Sequence, residues 1–325
     1  MSKSQSNGLW SIILAGGDGE RTRPFIEQWL GYPKPKQYCT FVGSRSMLQH
    51  TLDRADRLGA PDKKVTVVAQ IHQGYASEAL AGQQAGQVIL EPDYCGSGPG
   101  IFLPLTYVRS WDPKATVVIF PSDHFVFPED RFLETVQRAT RATHILQGRI
   151  LLLGVRPTHL ELDYGWINVG GILGWSGGAC VRQVDSFVDK PGQLEVLNAM
   201  ANGALWNSLV IVAKVETIWK LGWQYLPVIM ERFDRLGKAI GSNHEGVMLR
   251  QLYQKMPALN FLPELLQRVP EHMGIIEVED VLWSDWERPD RILGSLNVLG
   301  KEPAFPTEMV TTPSSTSSLS SIEVN

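Results

Sequence analysis

The stretch Leu9-Trp10-Ser11-Ile12-Ile13-Leu14-Ala15 runs straight into Gly16-Gly17-Asp18-Gly19-Glu20-Arg21. A short apolar run that stops at a cluster of glycines reads as a buried strand handing over to a tight loop. Glycine has no Cβ, so such a loop lets backbone N–H groups approach an anion closely and point at it. Two well-known phosphate loops do not fit. One ends in Gly-Lys-Ser/Thr, which is absent, and the dinucleotide-binding loop needs a third glycine where this chain has Thr22. The loop delivers cations instead: Arg21, Arg23-Pro24, and then Lys36 in Pro33-Lys34-Pro35-Lys36-Gln37. Glycines followed by Arg and Lys suit a triphosphate that a second anion must approach. Taken alone, the same residues would also serve as a plain turn carrying surface cations.

Outward from this stretch, the first half alternates strand and helix. After a loop set at residues 16–43, the spacing predicts a helix over 46–58, with Met47, Leu48, Leu52 and Ala55 on one face. Strands are expected at 65–69, 87–90, 115–120 and 149–155, with helices at 99–109 and 129–146. Such alternation implies an α/β fold, a Rossmann-like mixed, mainly parallel sheet flanked by helices. Sheets of this kind bind ligands at the carboxyl ends of their strands. The second half is less regular. Residues 165–173 and 181–188 read as a small antiparallel insertion, followed by a strand at 209–213, helices at 249–256 and 263–268, and a last strand at 273–278.

Composition sets the broad class. The chain has 325 residues, 43% apolar and 20% charged, which suits a globular fold with a large core. Thirty Lys and Arg against 34 Asp and Glu leave a net charge of −4, which argues against generic binding to nucleic acid or to an anionic membrane. Cys39, Cys95 and Cys180 lie far apart with no Cys-x-x-Cys, so neither a disulfide framework nor a zinc knuckle is expected. No apolar run approaches the ~18 residues of a membrane span. The polar residues 1–8, followed by a short apolar stretch, do not read as a signal peptide. These features point to a reducing, cytoplasmic setting. A folded domain is expected over residues 7–300. From residue 303 the composition changes, and residues 311–321 are nearly all Ser and Thr. So little apolar surface predicts a disordered tail over 303–325.

At this point the residues resemble a known family. Residues 14–21 with Pro35-Lys36-Gln37 look like the signature of sugar-1-phosphate nucleotidyltransferases, closest to the mannose-1-phosphate guanylyltransferase branch. The likeness continues in order through Glu91-Pro92 with Ser97-Gly98-Pro99, and through Pro121-Ser122-Asp123-His124. It runs on from Pro157-Thr158 past Glu161 to Tyr164-Gly165-Trp166-Ile167, then to Phe187-Val188-Asp189-Lys190-Pro191. Leu205-Trp206-Asn207-Ser208 and Trp283-Ser284-Asp285-Trp286 complete it. Each motif is short; their order over residues 9–298 carries the resemblance. There are departures. Cys95-Gly96-Ser97-Gly98 stands where Arg-Asn-Thr-Ala is common, Asp189 where Glu is, Leu209 where a glycine follows Asn-Ser, and Trp286-Glu287 where Val-Gly is usual.

The resemblance implies transfer of a nucleotidyl group from an NTP to a sugar 1-phosphate, by preference GTP and mannose 1-phosphate, giving an NDP-sugar and pyrophosphate. A phosphate oxygen attacks the α-phosphorus in line. That nucleophile is already an anion, so catalysis rests on positioning and on charge supplied by Arg, Lys and Mg2+. By the same likeness Arg21 and Lys36 are the catalytic cations, one on the triphosphate and one beside the α-phosphate. Both follow glycine or proline loops, so substituting either is expected to cost rate rather than stability. Leu14, Ala15, Gly16, Gly17, Gly19, Glu91 and Ser97 would hold the nucleotide. Asp123 would do so through Mg2+, with Asp285 as the second metal ligand. The antiparallel insertion would bind sugar, with Gly165, Glu161, Asp189, Lys190 and Asn207 on the sugar 1-phosphate. No nucleic-acid or membrane partner is implied, and a homodimer is one assembly the reading allows. A chain of this length leaves no room for the isomerase domain of longer family members.

The altered 95–98 segment keeps a second reading open, a catalytically weak paralogue that binds nucleotide sugar and regulates a partner. A dehydrogenase is set aside by the missing third glycine, and a glycosyltransferase by the lack of Asp-x-Asp after a strand. Deleting residues 311–325 is expected to leave melting temperature and turnover unchanged, since the segment has almost no apolar anchors. A drop of several degrees in a thermal melt would show that the tail docks.

Overall fold

The computed structural model describes residues 8–188 and 191–310. Its strands are β1 Leu9–Ala15, β2 Lys64–Ala69, β3 Gln87–Glu91, β4 Thr116–Pro121, β5 Phe125–Phe127, β6 Ile150–Val155, β7 Trp166–Ser176, β8 Ala179–Val188, β9 Leu205–Lys214, β10 Met273–Val278 and β11 Leu282–Ser284. Nine of them form one sheet in the order β3-β2-β1-β4-β9-β6-β10-β8-β7, and β5 and β11 form a separate antiparallel ribbon. β1 is parallel to β2 and β4, β2 to β3, and β6 to β10. β9 is antiparallel to β4, β6 and β7, and β8 to β10 and β7. All strands of the large sheet except β8 and β9 therefore point the same way, as the strand–helix alternation implies. The antiparallel pair expected as an insertion, β7–β8, is continuous with this sheet through β10, and the start of β7 pairs back onto β9.

Both faces of the sheet are covered, which is why residues Val117–Phe120 of β4 are all apolar instead of alternating. Val117 and Ile119 face one core cluster, with the helices Ser97–Trp111, Val215–Tyr225 and Pro227–Ala239 packed over it. Val118 and Phe120 face the other, covered by the helix Glu129–Ile145 through Phe132, Leu133 and Val136. The helix Met47–Asp56 starts at a capping box, with Ser46 accepting from the Gln49 N–H and Gln49 accepting from the Ser46 N–H. No helix among the described residues is long and apolar enough to cross a membrane.

The sheet sets up its carboxyl edge. β1 and β4 end side by side there, and the Ser122 N–H donates to the Leu14 carbonyl at 3.2 Å. Because β9 runs the other way, its first residues lie at the same edge. The pairing of β7 with β9 sets Trp166 opposite Trp206, and the Asn207 N–H donates to the Gly165 carbonyl at 2.9 Å.

Three sequence expectations change. The loop set at 16–43 contains the helix Arg23–Leu30, with Pro24 in its first turn and Gly31 closing it at φ 80°. Phe25 and Ile26 on this short helix pack with Phe41 and Trp286. Two further helices, Val215–Tyr225 and Pro227–Ala239, follow β9, between the strand expected at 209–213 and the helix expected at 249–256. The fold also runs past residue 300. The Ala304 N–H donates to the Phe41 carbonyl at 2.8 Å, and Phe305, 4% exposed, sits edge-on to Phe25 at 5.0 Å. Phe305, with Met309 and Val310 packed against the same cluster, anchors residues 303–310, so the expected disorder does not hold for them. The rest of the expected tail, 311–325, lies outside the described residues. Phe305→Ala is expected to lower the unfolding free energy by about 3 kcal/mol, the cost of emptying a buried phenyl site. Denaturation curves that superimpose on wild type would contradict this anchoring.

Candidate active site

The glycine loop is held from beneath by the segment that follows it. Gln37 Nε2 donates to the carbonyls of Ala15 at 3.0 Å and Gly17 at 2.7 Å, and the Tyr38 hydroxyl donates to Ala15 at 3.2 Å. Gly19 has φ 63°, and a Cβ there would lie 3.0 Å from Lys36 Cβ. The backbone turn and the close approach both require glycine at this position. Asp18 accepts from the buried His72 at 2.9 Å.

Lys36 is buried beneath this loop. Its Nζ donates to the Asp285 carbonyl at 2.6 Å and pairs with Asp123 Oδ2 at 2.9 Å. Asp123 follows β4 and keeps about a third of its side chain accessible. Burial pushes its carboxyl up, but the Lys36 ammonium and His124 outweigh that and hold it below its ordinary value. Lys36 is thus no solvated loop cation, and its substitution removes the partner of a buried charge contact, so it costs stability as well as whatever charge the site uses. Arg21 is different. It is largely exposed and forms an ion pair with Glu287.

Two cavities open at this edge. One, of about 480 Å3, is lined by Leu14, Gly16, Gly17, Glu91, Ser97 and Asp123 among others, so six of the expected nucleotide residues meet there. Ala15 and Gly19 do not line it; Ala15 is fully buried and its carbonyl is taken by Gln37 and Tyr38. The far wall comes from Asn260, Phe261 and Leu262. That wall is pinned by the Phe261 N–H donating to Ser97 Oγ and the Gly98 N–H donating to the Leu259 carbonyl, both at 2.9 Å. A Cβ on Gly96 would meet the Leu259 carbonyl oxygen at 2.4 Å, so the unusual 95–98 segment is what lets the wall close. Burial pushes the Glu91 carboxyl up to about 7, although the Tyr253 hydroxyl donates to it at 3.1 Å.

The second cavity, of about 200 Å3, is lined by Arg21, Gly165, Asn207, Asp285 and Glu287 among others. Leu209 and Leu262 line both cavities, so the two adjoin. Leu209 has φ 57°, and its N–H donates to Asn207 Oδ1 at 2.9 Å.

Two expected residues are not free for ligand. Glu161 accepts from Arg291 Nε at Oε2, at 3.1 Å, forms an ion pair with the same guanidinium at Oε1, at 2.9 Å, and accepts from the Asp163 N–H at 3.1 Å. It lines a different cavity, with His159 and Arg291, so the structure does not bring it to Gly165 and Asn207. Arg291 also donates to both oxygens of Asp285, at 2.9 and 3.1 Å. The Asp285 carboxylate is therefore occupied, and only its carbonyl reaches Lys36. Among the described residues no group of three or more His, Cys, Asp and Glu could hold a metal ion. Asp123 remains as a single carboxylate, which suits Mg2+ when substrate phosphates and water complete the shell. Asp189 and Lys190 lie outside the described residues.

Sequence reasoning missed Arg291, Glu287, Tyr253 and the 260–262 wall. Arg291 stacks over the Tyr164 ring at 4.4 Å while it holds Glu161 and Asp285. The one signal for it was its place soon after Trp283-Ser284-Asp285.

A family model described as nucleotidyl transferase matches residues 10–243. The chain is 25% identical over 286 residues to a mannose-1-phosphate guanylyltransferase of Escherichia coli, covering 86% of this chain and 60% of that protein. It is 30% identical over 210 residues to a mannose-1-phosphate guanylyltransferase of Salmonella montevideo, covering 63% and 43%. The chain spans about half the length of the curated relatives it matches. Its fold is similar to that of a solved structure described as mannose-1-phosphate geranyltransferase from Thermus thermophilus. The TM-score is 0.74 at 22% identity, over 88% of this chain and 79% of that one.

Arg291→Met leaves two buried carboxylates without their cation, at an expected cost of about 3–5 kcal/mol in unfolding free energy. Burial pushes the Glu161 carboxyl up, but its contacts with His159, the Asp163 N–H and Arg291 bring it down to about 2. A depressed carboxyl contributes stability above its ordinary value of 4.5 and loses it as pH falls toward about 2. That acid-range loss should be smaller in the variant. Denaturation at neutral and acid pH checks both, and a variant as stable as wild type at pH 7 would contradict the assignment.

Proposed function

We propose that this chain, which belongs to the nucleotidyl transferase family, moves a nucleotidyl group from an NTP to a sugar 1-phosphate and releases pyrophosphate. GTP and mannose 1-phosphate are the preferred pair. The observation that carries the reading is the join of two cavities at one sheet edge. One is lined by the glycine loop and by Asp123, whose buried partner is Lys36, and the other by Gly165 and Asn207. The names of the relatives support the choice of substrates.

The chemistry needs little from the protein beyond charge and alignment. An oxygen of the sugar phosphate attacks the α-phosphorus, a P–O bond forms, and the bond to the leaving pyrophosphate breaks. Backbone N–H groups of the glycine loop cradle the phosphates. Lys36, held in place before substrate arrives, offsets charge where the two anions meet. Arg21 takes the pyrophosphate end. Asp123 would hold Mg2+ together with the substrate phosphates, and the ion would neutralise charge on them. Asp285 serves chiefly through its carbonyl, with Arg291 holding its carboxylate.

Glu91 supports guanine. Its buried carboxyl lines the larger cavity, and in its ionised form, which two donors would favour, it would accept from guanine's N1 and N2, so a base that leaves it unpaired is rejected. Asn207 and the Gly165 backbone face the sugar, with Lys190 on its phosphate and Asp189 on its hydroxyls.

Pyrophosphate release tests this reading. It is measured with five nucleoside triphosphates against several sugar 1-phosphates in the presence of Mg2+. GTP with mannose 1-phosphate should be fastest. Arg21→Ala should lose a factor of about 10²–10³ in rate with little change in melting temperature. Lys36→Ala should lose rate and stability together. No release with any pair would overturn the proposal, and Arg21→Ala within tenfold of wild type would remove that residue from it.

A further inference from the structure

The ion pair between Arg21 and Glu287 has no part in the reaction as set out so far. Its side chains are 47% and 37% exposed and line the smaller cavity beside Gly165, Asn207 and Asp285. Glu287 does not use this side chain to hold its own segment. Its N–H donates to Asp285 Oδ1 at 3.0 Å, and the Trp286 N–H donates to Ser284 Oγ at 3.3 Å. The Trp286 ring is buried and stacked on Phe125 at 4.3 Å. Arg21 is the only hydrogen-bond partner of the Glu287 carboxylate among the described residues. The backbone thus presents a carboxylate to a loop cation within the smaller cavity, which adjoins the larger one at Leu209 and Leu262.

A carboxylate so placed competes with any polyphosphate for Arg21. Exposed pairs are weak, about 0–1 kcal/mol, so a polyanion with several oxygens displaces it readily. When that polyanion leaves, the carboxylate is at hand to take the cation back. We infer that Glu287 is an intramolecular counter-anion that trades places with the pyrophosphate end of the nucleotide on Arg21. It is a positioning residue acting through Arg21. No covalent bond changes in the exchange; one ion pair replaces another. The inference rests on the reading of Arg21 as the triphosphate cation.

The exchange loosens the hold on NTP and on pyrophosphate alike, and so favours release of the product. Calorimetric titration of the full chain with pyrophosphate tests it, together with steady-state kinetics. Glu287→Gln should bind pyrophosphate about fivefold more tightly, the factor to which ~1 kcal/mol converts. Its KM for the NTP should fall by a similar factor without a rise in kcat. Glu287→Asp, which keeps the charge, should return toward wild type, as a purely structural role would not require. Arg21→Ala should bind pyrophosphate more weakly than wild type. Unchanged or weaker pyrophosphate binding in Glu287→Gln, with Arg21→Ala still impaired, would overturn the inference and leave the functional reading standing. If Arg21→Ala also binds pyrophosphate as wild type does, both the inference and the reading of Arg21 fall.

Discussion

An ammonium group removed from water costs several kcal/mol unless partners meet it. The Lys36 side chain is 2% exposed, and it is met by Asp123 at 2.9 Å and by the Asp285 carbonyl at 2.6 Å. These three residues come from the segment after the glycine loop, the end of β4 and the end of β11. Their meeting fixes where the three segments stand relative to one another, and the cleft is the space left between them. The same contact poises the charge. On the proposed reading, a cation already held in place need not reorganise when two phosphates arrive, and that preorganisation is where electrostatic catalysis gains most.

Around this point the site divides into parts that are locked and parts that are free. Gln37 and Tyr38 lock the glycine loop from below, and Gly19 lets that loop close over Lys36. On the other side Arg291 ties Glu161 and Asp285 together behind the smaller cavity. Arg21 and Glu287 stand outside both networks, exposed and weakly paired. On the proposed reading, the locked cation is the one beside the reacting phosphorus, and the exposed one meets the group that must leave.

Much of this was legible in the sequence because it is local. The apolar run into glycines at residues 9–21 and the carboxylate after β4 declare themselves within a few residues of chain. The helical spacing of Ile229, Met230, Phe233 and Leu236 was equally local and went unread. Other features depend on distant partners. Pro-Lys-Pro-Lys looks solvated until Asp285, 249 residues away, is folded against it. Glu161 has the position a sugar ligand would have, but its partner Arg291 is 130 residues on, and no local pattern shows that pairing. The helix Arg23–Leu30 is too short for its periodicity to stand out. Phe305, Met309 and Val310 are few and lie just before a Ser/Thr run, so the composition of the whole tail gives the wrong answer for residues 303–310.

The claim that the buried Lys36–Asp123 contact organises the cleft is tested most directly by a double-mutant cycle in chemical denaturation. The cycle uses Lys36→Met, Asp123→Asn and the double variant. Residues that share a buried charge contact are coupled, and the structure predicts an interaction free energy of at least about 1.5 kcal/mol. Single-mutant effects that add within about 0.5 kcal/mol would contradict it.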